Sequence, residues 1–163
     1  MPDPGTHVLI SFWFKRFLFK KNTLLSMPLF LIGGILPDIV SRGGIILFPQ
    51  HYYWFFQTFH TPLSLILQCT FLSFLFEKDI RLSTFVSLIA GITLHLLADS
   101  MQSHIAEGAY FWFYPFSNWT TEFGIFHVDF WPYLLAGSIL LILLSFTIEK
   151  IITRIRGYIN CSI

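Results

Sequence analysis

The chain has 163 residues, of which 55% are hydrophobic and 19% aromatic, and its formal net charge is +1. Only 12% of the residues are charged and the mean hydropathy is +0.67, a combination that excludes an ordinary soluble domain. The near-neutral charge also gives no support to nucleic-acid binding. We therefore predict one membrane-embedded helical domain over residues 1–163, in a multi-pass protein of the cell membrane without a cleavable signal peptide.

Two helices are predicted in the first part of the chain. The first runs from His7 to about Phe19 and ends among basic residues. The second begins near Thr23 and is expected to stop at Pro37, because proline disfavours helical geometry in the residue before it. Asp38 would then lie at the exit of the second helix.

Three further apolar helices follow. A connection over 39–59 leads to a third helix from His60 to Phe76. After a short polar turn, the fourth helix runs from Leu82 to about His104. A second long connection over 106–131 precedes a fifth helix from Pro132 to Ile148. The expected fold class is all-α: a polytopic membrane helix bundle of about five helices, four of them long and apolar.

The fourth helix carries a histidine and a carboxylate, His95 and Asp99, in an otherwise uncharged apolar run. Their spacing is about one helical turn, so both side chains point to the same face. In such a helix an imidazole and a carboxylate must be satisfied by each other, by water or by a metal ion. The pair alone therefore fits both a structural hydrogen bond and a metal site.

Because successive helices are expected to alternate in direction, the polar residues at their ends fall into two groups, one at each end of the bundle. One end receives nine of the ten basic residues: Lys15, Arg16, Lys20, Lys21, Lys78, Arg81, Lys150, Arg154 and Arg156. The positive-inside rule makes that end cytoplasmic. The non-cytoplasmic end receives five candidate metal ligands: His7, Asp38, His60, His95 and Asp99. Two aromatic clusters over 52–56 and 110–114 fall on this same face, as expected of anchors at the membrane interface.

The five candidate ligands offer nitrogen and oxygen atoms and no thiolate. Such a set suits one or two divalent metal ions, zinc first, with manganese or iron as alternatives. A His/Asp site at a membrane surface can keep a coordination position for water, which favours catalysis over a closed structural site. The candidate catalytic residues are Asp99, as a bridge between two ions, and Asp38, which combines metal binding with a general-base role. Four more polar residues are only loose candidates: His104, Glu122, His127 and Asp129.

A resemblance to a known family rests on several short motifs in a fixed order. They are Pro4-Gly5-Thr6-His7, Leu36-Pro37-Asp38, His60-Thr61-Pro62, Gly91 with His95 and Asp99, and Pro115-Phe116-Ser117. This set resembles the membrane-bound metal-dependent hydrolases that include the LexA-regulated inner-membrane proteins. The order of ligands is also similar to that of zinc-dependent phospholipase C. The resemblance implies one metal held by Asp38, His60, His95 and Asp99, and a second shared between His7 and Asp99.

Two functions remain open at this point. The first is a metal-dependent hydrolase that cleaves a phosphoester of a lipid or lipid-linked head group with a metal-activated water. The alternative is a non-catalytic multi-pass membrane protein whose His/Asp cluster is structural or binds a partner. An open coordination position favours the first, and a closed cluster favours the second. A transporter is less favoured, because no repeat or pair of discontinuous helices is visible.

Overall fold

The computed structural model of the chain describes residues 4–48, 53–103 and 111–161. Within these residues the α-helices are α1 (Pro4–Trp13), α2 (Met27–Leu47), α3 (Tyr53–Thr58), α4 (Pro62–Phe74), α5 (Lys78–Ser100) and α6 (Trp131–Cys161). A π-helical segment, Phe14–Leu18, extends α1, and a short 3-10 helix, Val128–Phe130, precedes α6. Two short strands, β1 (Gln102–Ser103) and β2 (Phe126–His127), pair in parallel. The predicted all-α helical bundle is confirmed.

Three helical segments are long and apolar enough to cross a membrane: Met27–Leu47, Lys78–Ser100 and Trp131–Arg156. Helix α4 has only 13 residues and falls short of the roughly 17 to 25 that a spanning helix needs. The described residues thus contain three helices of spanning length where four were expected. Helix α3 is an addition, since it lies inside the predicted connection over 39–59.

The expected end of the second helix at Pro37 is wrong, because α2 continues through this proline to Leu47. Proline removes one helical N–H donor and leaves the carbonyl of Gly33 without its helical partner, a loss that helices tolerate where packing against neighbours holds the segment. Here packing supports the helix, since Pro37, Asp38 and Ser41 are all buried. Asp38 therefore lies within α2 and not at its exit.

Other helix boundaries also differ from the predictions. Helix α5 begins at Lys78, so most of the charged turn forms its first turn, and it ends at Ser100. The prediction extended this helix to about His104, but Gln102 and Ser103 already belong to strand β1. His104 itself lies outside the described residues. Helix α6 continues beyond Ile148 to Cys161. Charged residues at the end of an apolar run therefore did not mark the ends of these helices.

Glycines bring α2 and α5 into close contact. A Cβ atom on Gly33 would lie 2.3 Å from the Leu88 carbonyl oxygen, and one on Gly91 would lie 2.2 Å from the Phe30 carbonyl oxygen. Backbone atoms at these distances leave no room for a side chain, as in other membrane helix pairs with small residues at their interface. The close approach matters for the site because His95 lies one turn after Gly91.

A hydrogen bond and two ion pairs connect the C-terminal end of α1, and the residues that follow it, to α6. The Trp13 indole N–H donates to Ser145 Oγ at 2.8 Å. Arg16 forms an ion pair with Glu149 at 3.0 Å, and Lys20 contacts the same carboxylate. Elsewhere α6 has few neighbours, since only 6% of its spanning segment is buried. Residues 13–20 and the part of α6 around Ser145 and Glu149 therefore lie at the same end of the bundle.

Candidate metal centre

The structure brings all five predicted ligands into one buried cluster. His7 comes from α1, Asp38 from α2, His60 from the turn before α4, and His95 and Asp99 from α5. Each of the five residues is at most 3% exposed. Four separate segments thus converge at one end of the bundle, away from the ends of α1 and α6 that carry the Glu149 ion pairs.

The Asp99 carboxylate lies at the centre of three imidazoles. His7 Nε2 is 3.1 Å from its Oδ1, while His60 Nε2 and His95 Nε2 are 3.0 and 3.2 Å from its Oδ2. The His7 and His95 rings stack with their centroids 3.9 Å apart. Three ring nitrogens therefore surround one carboxylate, which is 0% exposed.

The backbone of α2 determines how His95 presents its ring. His95 Nδ1 lies 2.8 Å from the Gly34 carbonyl oxygen, which can only accept a hydrogen bond, so Nδ1 carries the proton. In the neutral ring, Nε2 then has a lone pair, and it faces Asp99 Oδ2 without a hydrogen bond. Two acceptors at this distance repel each other unless a proton or a cation lies between them. This is the arrangement of metal-binding histidines, whose other nitrogen donates to a carbonyl or carboxylate.

His60 has a similar partner on its far side. Ser41 Oγ lies 3.4 Å from His60 Nδ1, and the Ser41 hydroxyl already donates its proton to the Pro37 carbonyl. His60 Nε2 has a closer partner, Asp99 Oδ2 at 3.0 Å, and a carboxylate can only accept, so this hydrogen bond places the proton on Nε2. His60 therefore donates to the Asp99 carboxylate, and its Nδ1 faces Ser41.

Two overlapping groups in this cluster have the spacing of metal ligands. His7, His95 and Asp99 each offer a ligand atom, and these atoms lie within 4.8 Å of one another; the same holds for Asp38, His60 and His95. Several of these atoms are buried and make no hydrogen bond within the described structure. They are His7 Nε2, His95 Nε2, Asp99 Oδ1 and both carboxylate oxygens of Asp38. Buried polar atoms without hydrogen bonds are uncommon in folded proteins, and a bound ion or water is one way in which such atoms are satisfied.

A single arginine accompanies the cluster. Arg42 Nε lies 3.1 Å from Asp38 Oδ1, one turn along α2, and the Arg42 side chain is 35% exposed. Because its carboxylate partner is 1% exposed, Arg42 links the buried cluster to the surface. Arg42 is also the one basic residue that the sequence analysis did not place at the cytoplasmic end.

The looser candidates do not join either ligand group within the described residues. His127 and Asp129 pair with each other at 3.0 Å on the surface, where they are 50% and 84% exposed. Glu122 is also exposed. His104 lies outside the described residues.

The segment after residue 111 runs across the end of α5 beside the cluster. The Phe123 N–H donates to the Ser100 carbonyl at 2.6 Å, and the Ile125 N–H donates to the Met101 carbonyl at 2.7 Å. The segment exposes large apolar side chains, among them Phe113, Phe116, Trp119, Phe123 and Ile125. Exposed aromatic side chains of this kind are typical of the membrane interface.

Sequence reasoning missed the residues that support the ligands. Gly34 and Ser41 act from α2 on histidines far along the chain, and no local pattern points to them. Arg42 could have been found from its spacing to Asp38, because residues four apart on a helix face the same way. Gln102, three residues after Asp99, is another buried polar residue that sequence reasoning missed. It is 1% exposed, and neither polar atom of its side-chain amide is hydrogen-bonded in the described structure.

Comparison with known proteins gives a family for nearly the whole chain. The model of a family described as YdjM inner membrane protein matches residues 1–161. No curated protein matches the chain. No solved structure matches it either. The match spans every helix described above, and its description agrees with the apolar helices of spanning length.

Proposed function

We propose that this chain, which belongs to the YdjM inner membrane protein family, is a metal-dependent hydrolase of the membrane. One observation carries the proposal: three imidazoles and two carboxylates converge in a buried cluster, and His95 Nε2 is directed at the Asp99 carboxylate without a proton between them. The residues fit a divalent metal ion, because its charge would remove the repulsion between these acceptors.

The ligand assignment follows the two groups in the cluster. Asp38, His60 and His95 would hold one ion, and His7 with Asp99 would hold a second. The nitrogen and oxygen donors suit zinc, with manganese or iron as alternatives. Such an ion supplies an activated water and polarises an ester oxygen. The chain itself contributes Gly34 and Ser41, which orient two of the rings.

The surroundings of the cluster favour an anionic ester as the substrate. Arg42 is partly exposed next to the buried Asp38, and a guanidinium binds phosphate oxygens well. The apolar helices keep the cluster in the membrane, so the phosphoester would belong to a lipid or lipid-linked head group. Asp38 and Asp99 are the proposed catalytic carboxylates, with Asp38 as the general base.

Hydrolysis in ¹⁸O-labelled water tests the reaction. Purified protein reconstituted with zinc or manganese is incubated with phosphatidylglycerol vesicles, and the products are analysed by mass spectrometry. We expect one ¹⁸O atom in the phosphate-bearing product and at least about a hundredfold slower release by His60→Ala, because this variant lacks a ligand of the proposed metal ion. Release that is equally fast with His60→Ala would contradict the proposal. Label in a released fatty acid would instead make the enzyme an acyl-ester hydrolase.

Replacing Arg42 by glutamine should slow hydrolysis of the anionic phosphoester. A charge-assisted hydrogen bond contributes about 1.5–3 kcal/mol, so we expect kcat/KM to fall by about 10- to 100-fold while the metal content is retained. Lys78→Gln is the control, because Lys78 begins α5 at the other end of the bundle. An equal loss with a neutral carboxylic ester would show that Arg42 only supports Asp38.

The orientation of the bundle is a further part of the proposal. The cluster would lie on the non-cytoplasmic face, because the other basic residues gather at the opposite helix ends, as in the Arg16–Glu149 pair. We expect Ile46→Cys, at a position 76% exposed near the end of α2, to react with an impermeant maleimide added to whole cells or spheroplasts. Lys150→Cys should react only after the membrane is opened. The reverse pattern would place the cluster on the cytoplasmic side.

A non-catalytic role is the second candidate, and one observation favours it. All five ligand residues are at most 3% exposed, so the cluster is more enclosed than an open catalytic site. A closed hydrogen-bonded network would stabilise the bundle end in the same place. In that case metal removal would lower the thermal stability, and no ester in the vesicle assay would be cleaved.

A further inference from the structure

A second feature of the molecule is an apolar cavity of about 490 Å³ between α1, α5 and α6. Its size falls in the range of about 300–1,000 Å³ that small-molecule sites occupy. Most of its lining is aliphatic or aromatic, with Leu9 and Ile10 from α1, Leu97 and Ala98 from α5, and Gly137 and Leu141 from α6. The cavity therefore offers a ligand almost entirely hydrocarbon contacts.

Two of the polar groups on the lining already have partners. Ser138 Oγ donates to the Leu134 carbonyl at 2.8 Å, and the Trp13 indole N–H donates to Ser145 Oγ at 2.8 Å. A ligand with a polar group in this space would find few hydrogen bonds in exchange for its lost solvation. An unbranched hydrocarbon chain has no such cost.

The cavity and the polar cluster share two helices. Leu94 and Ala98 line the cavity, and the next residues along α5 are His95 and Asp99. Successive residues of a helix are about 100° apart around its axis, so the cavity lies on the helix face next to the ligands. In α1, Ile10 on the cavity wall follows His7 by three residues, which is about one helical turn, so the two lie on the same side of this helix.

From this continuity we propose that the cavity holds an acyl chain of a phospholipid whose head group lies at the His/Asp cluster. This inference rests on the proposed function for the role of the head group. The bilayer core is as apolar as the cavity, so a preference for the cavity would come from close packing around one chain and from the head group at the cluster. A chain held there would place a lipid phosphoester beside Arg42 and the proposed metal site.

Gly137 provides a precise way to fill the cavity. A Cβ atom at Gly137 would meet no atom within 4 Å, so a larger side chain enters open space. Gly43 in α2 is equally open and does not line the cavity. Gly137→Phe and Gly43→Phe are therefore a matched pair, and Gly137→Leu is a milder variant if the phenylalanine prevents folding.

The test uses photolabelling in nanodiscs of phosphatidylcholine with a trace of phosphatidic acid that carries a diazirine in one acyl chain. We expect labelled peptides to concentrate on 94–101 and 137–141 in the wild type and in Gly43→Phe. Gly137→Phe should reduce this labelling about tenfold, with Gly137→Leu intermediate. Labelling spread evenly over the exposed faces of α2, α4 and α6, and unchanged by Gly137→Phe, would overturn the acyl-chain site.

Metal content measured on the same samples separates the two proposals. A wild-type protein that carries metal but labels evenly overturns the acyl-chain site alone. A protein that carries no metal but labels the cavity selectively overturns the proposed function and leaves a lipid-binding cavity. The last comparison is with diacylglycerol that carries the same diazirine chain. If phosphatidic acid labels the cavity no better than this lipid, a phosphate head group at the His/Asp cluster is ruled out.

Discussion

The double change His95→Ala and Asp99→Ala is expected to remove bound metal completely from the purified, detergent-solubilised protein. Asp99 lies within 3.2 Å of all three imidazoles, and His95 belongs to both ligand groups, so their loss removes donors from both proposed positions. Elemental analysis should find about one to two zinc, manganese or iron ions per wild-type chain and background levels in the variant.

The control for this experiment lies on the same helix. Asp79 is exposed in the first turn of α5, so Asp79→Ala removes a carboxylate without touching the cluster. It should retain the wild-type metal content, and both variants should keep nearly the full helix content by circular dichroism. A wild-type protein that stays free of metal after reconstitution would remove the basis of the hydrolase proposal.

A methyl group added at Gly91 should separate α2 from α5 and disturb the cluster at a distance. Helix propensity alone would make Gly91→Ala more stable by about 1 kcal/mol. The new Cβ would instead lie 2.2 Å from the Phe30 carbonyl oxygen, and relief of such overpacking costs about 1–3 kcal/mol or more. We expect a net destabilisation of up to about 2 kcal/mol, seen as a lower midpoint of thermal unfolding.

The Gly91→Ala variant should also bind metal less tightly, because the shift loosens the hydrogen bond from His95 Nδ1 to the Gly34 carbonyl. Gly43→Ala is the matched control, since its Cβ meets no atom within 4 Å and helix propensity should dominate there. Equal midpoints of thermal unfolding for Gly91→Ala and Gly43→Ala would contradict this prediction, because α2 and α5 could then move apart at little cost in stability. Gly91→Leu should prevent the bundle from forming a stable metal site.

Much of the architecture could be predicted because it depends on composition and on local periodicity. Long apolar runs between polar turns indicate membrane helices, whatever their neighbours are. The five candidate ligands could also be identified, because ionisable residues are conspicuous in an apolar chain. Their common location followed from the alternating direction of the helices, without any knowledge of side-chain contacts.

Local rules failed where tertiary contacts override them. Pro37 indicated a helix end, but the burial of Pro37, Asp38 and Ser41 in the bundle supports the helix beyond it. That continuation places Arg42 one turn after Asp38 and gives the cluster its cation. A local propensity is a small energy, and packing against neighbouring helices exceeds it.

The sequence by itself determined that this is an apolar helical membrane protein and which five side chains could bind a metal. The tertiary structure alone decided how those side chains meet. It set the distance between α2 and α5 through Gly33 and Gly91, directed His95 through the Gly34 carbonyl, and left an apolar cavity beside the candidate ligands. These features depend on the spacing and rotation of helices distant in sequence, which the pattern within any one helix does not encode.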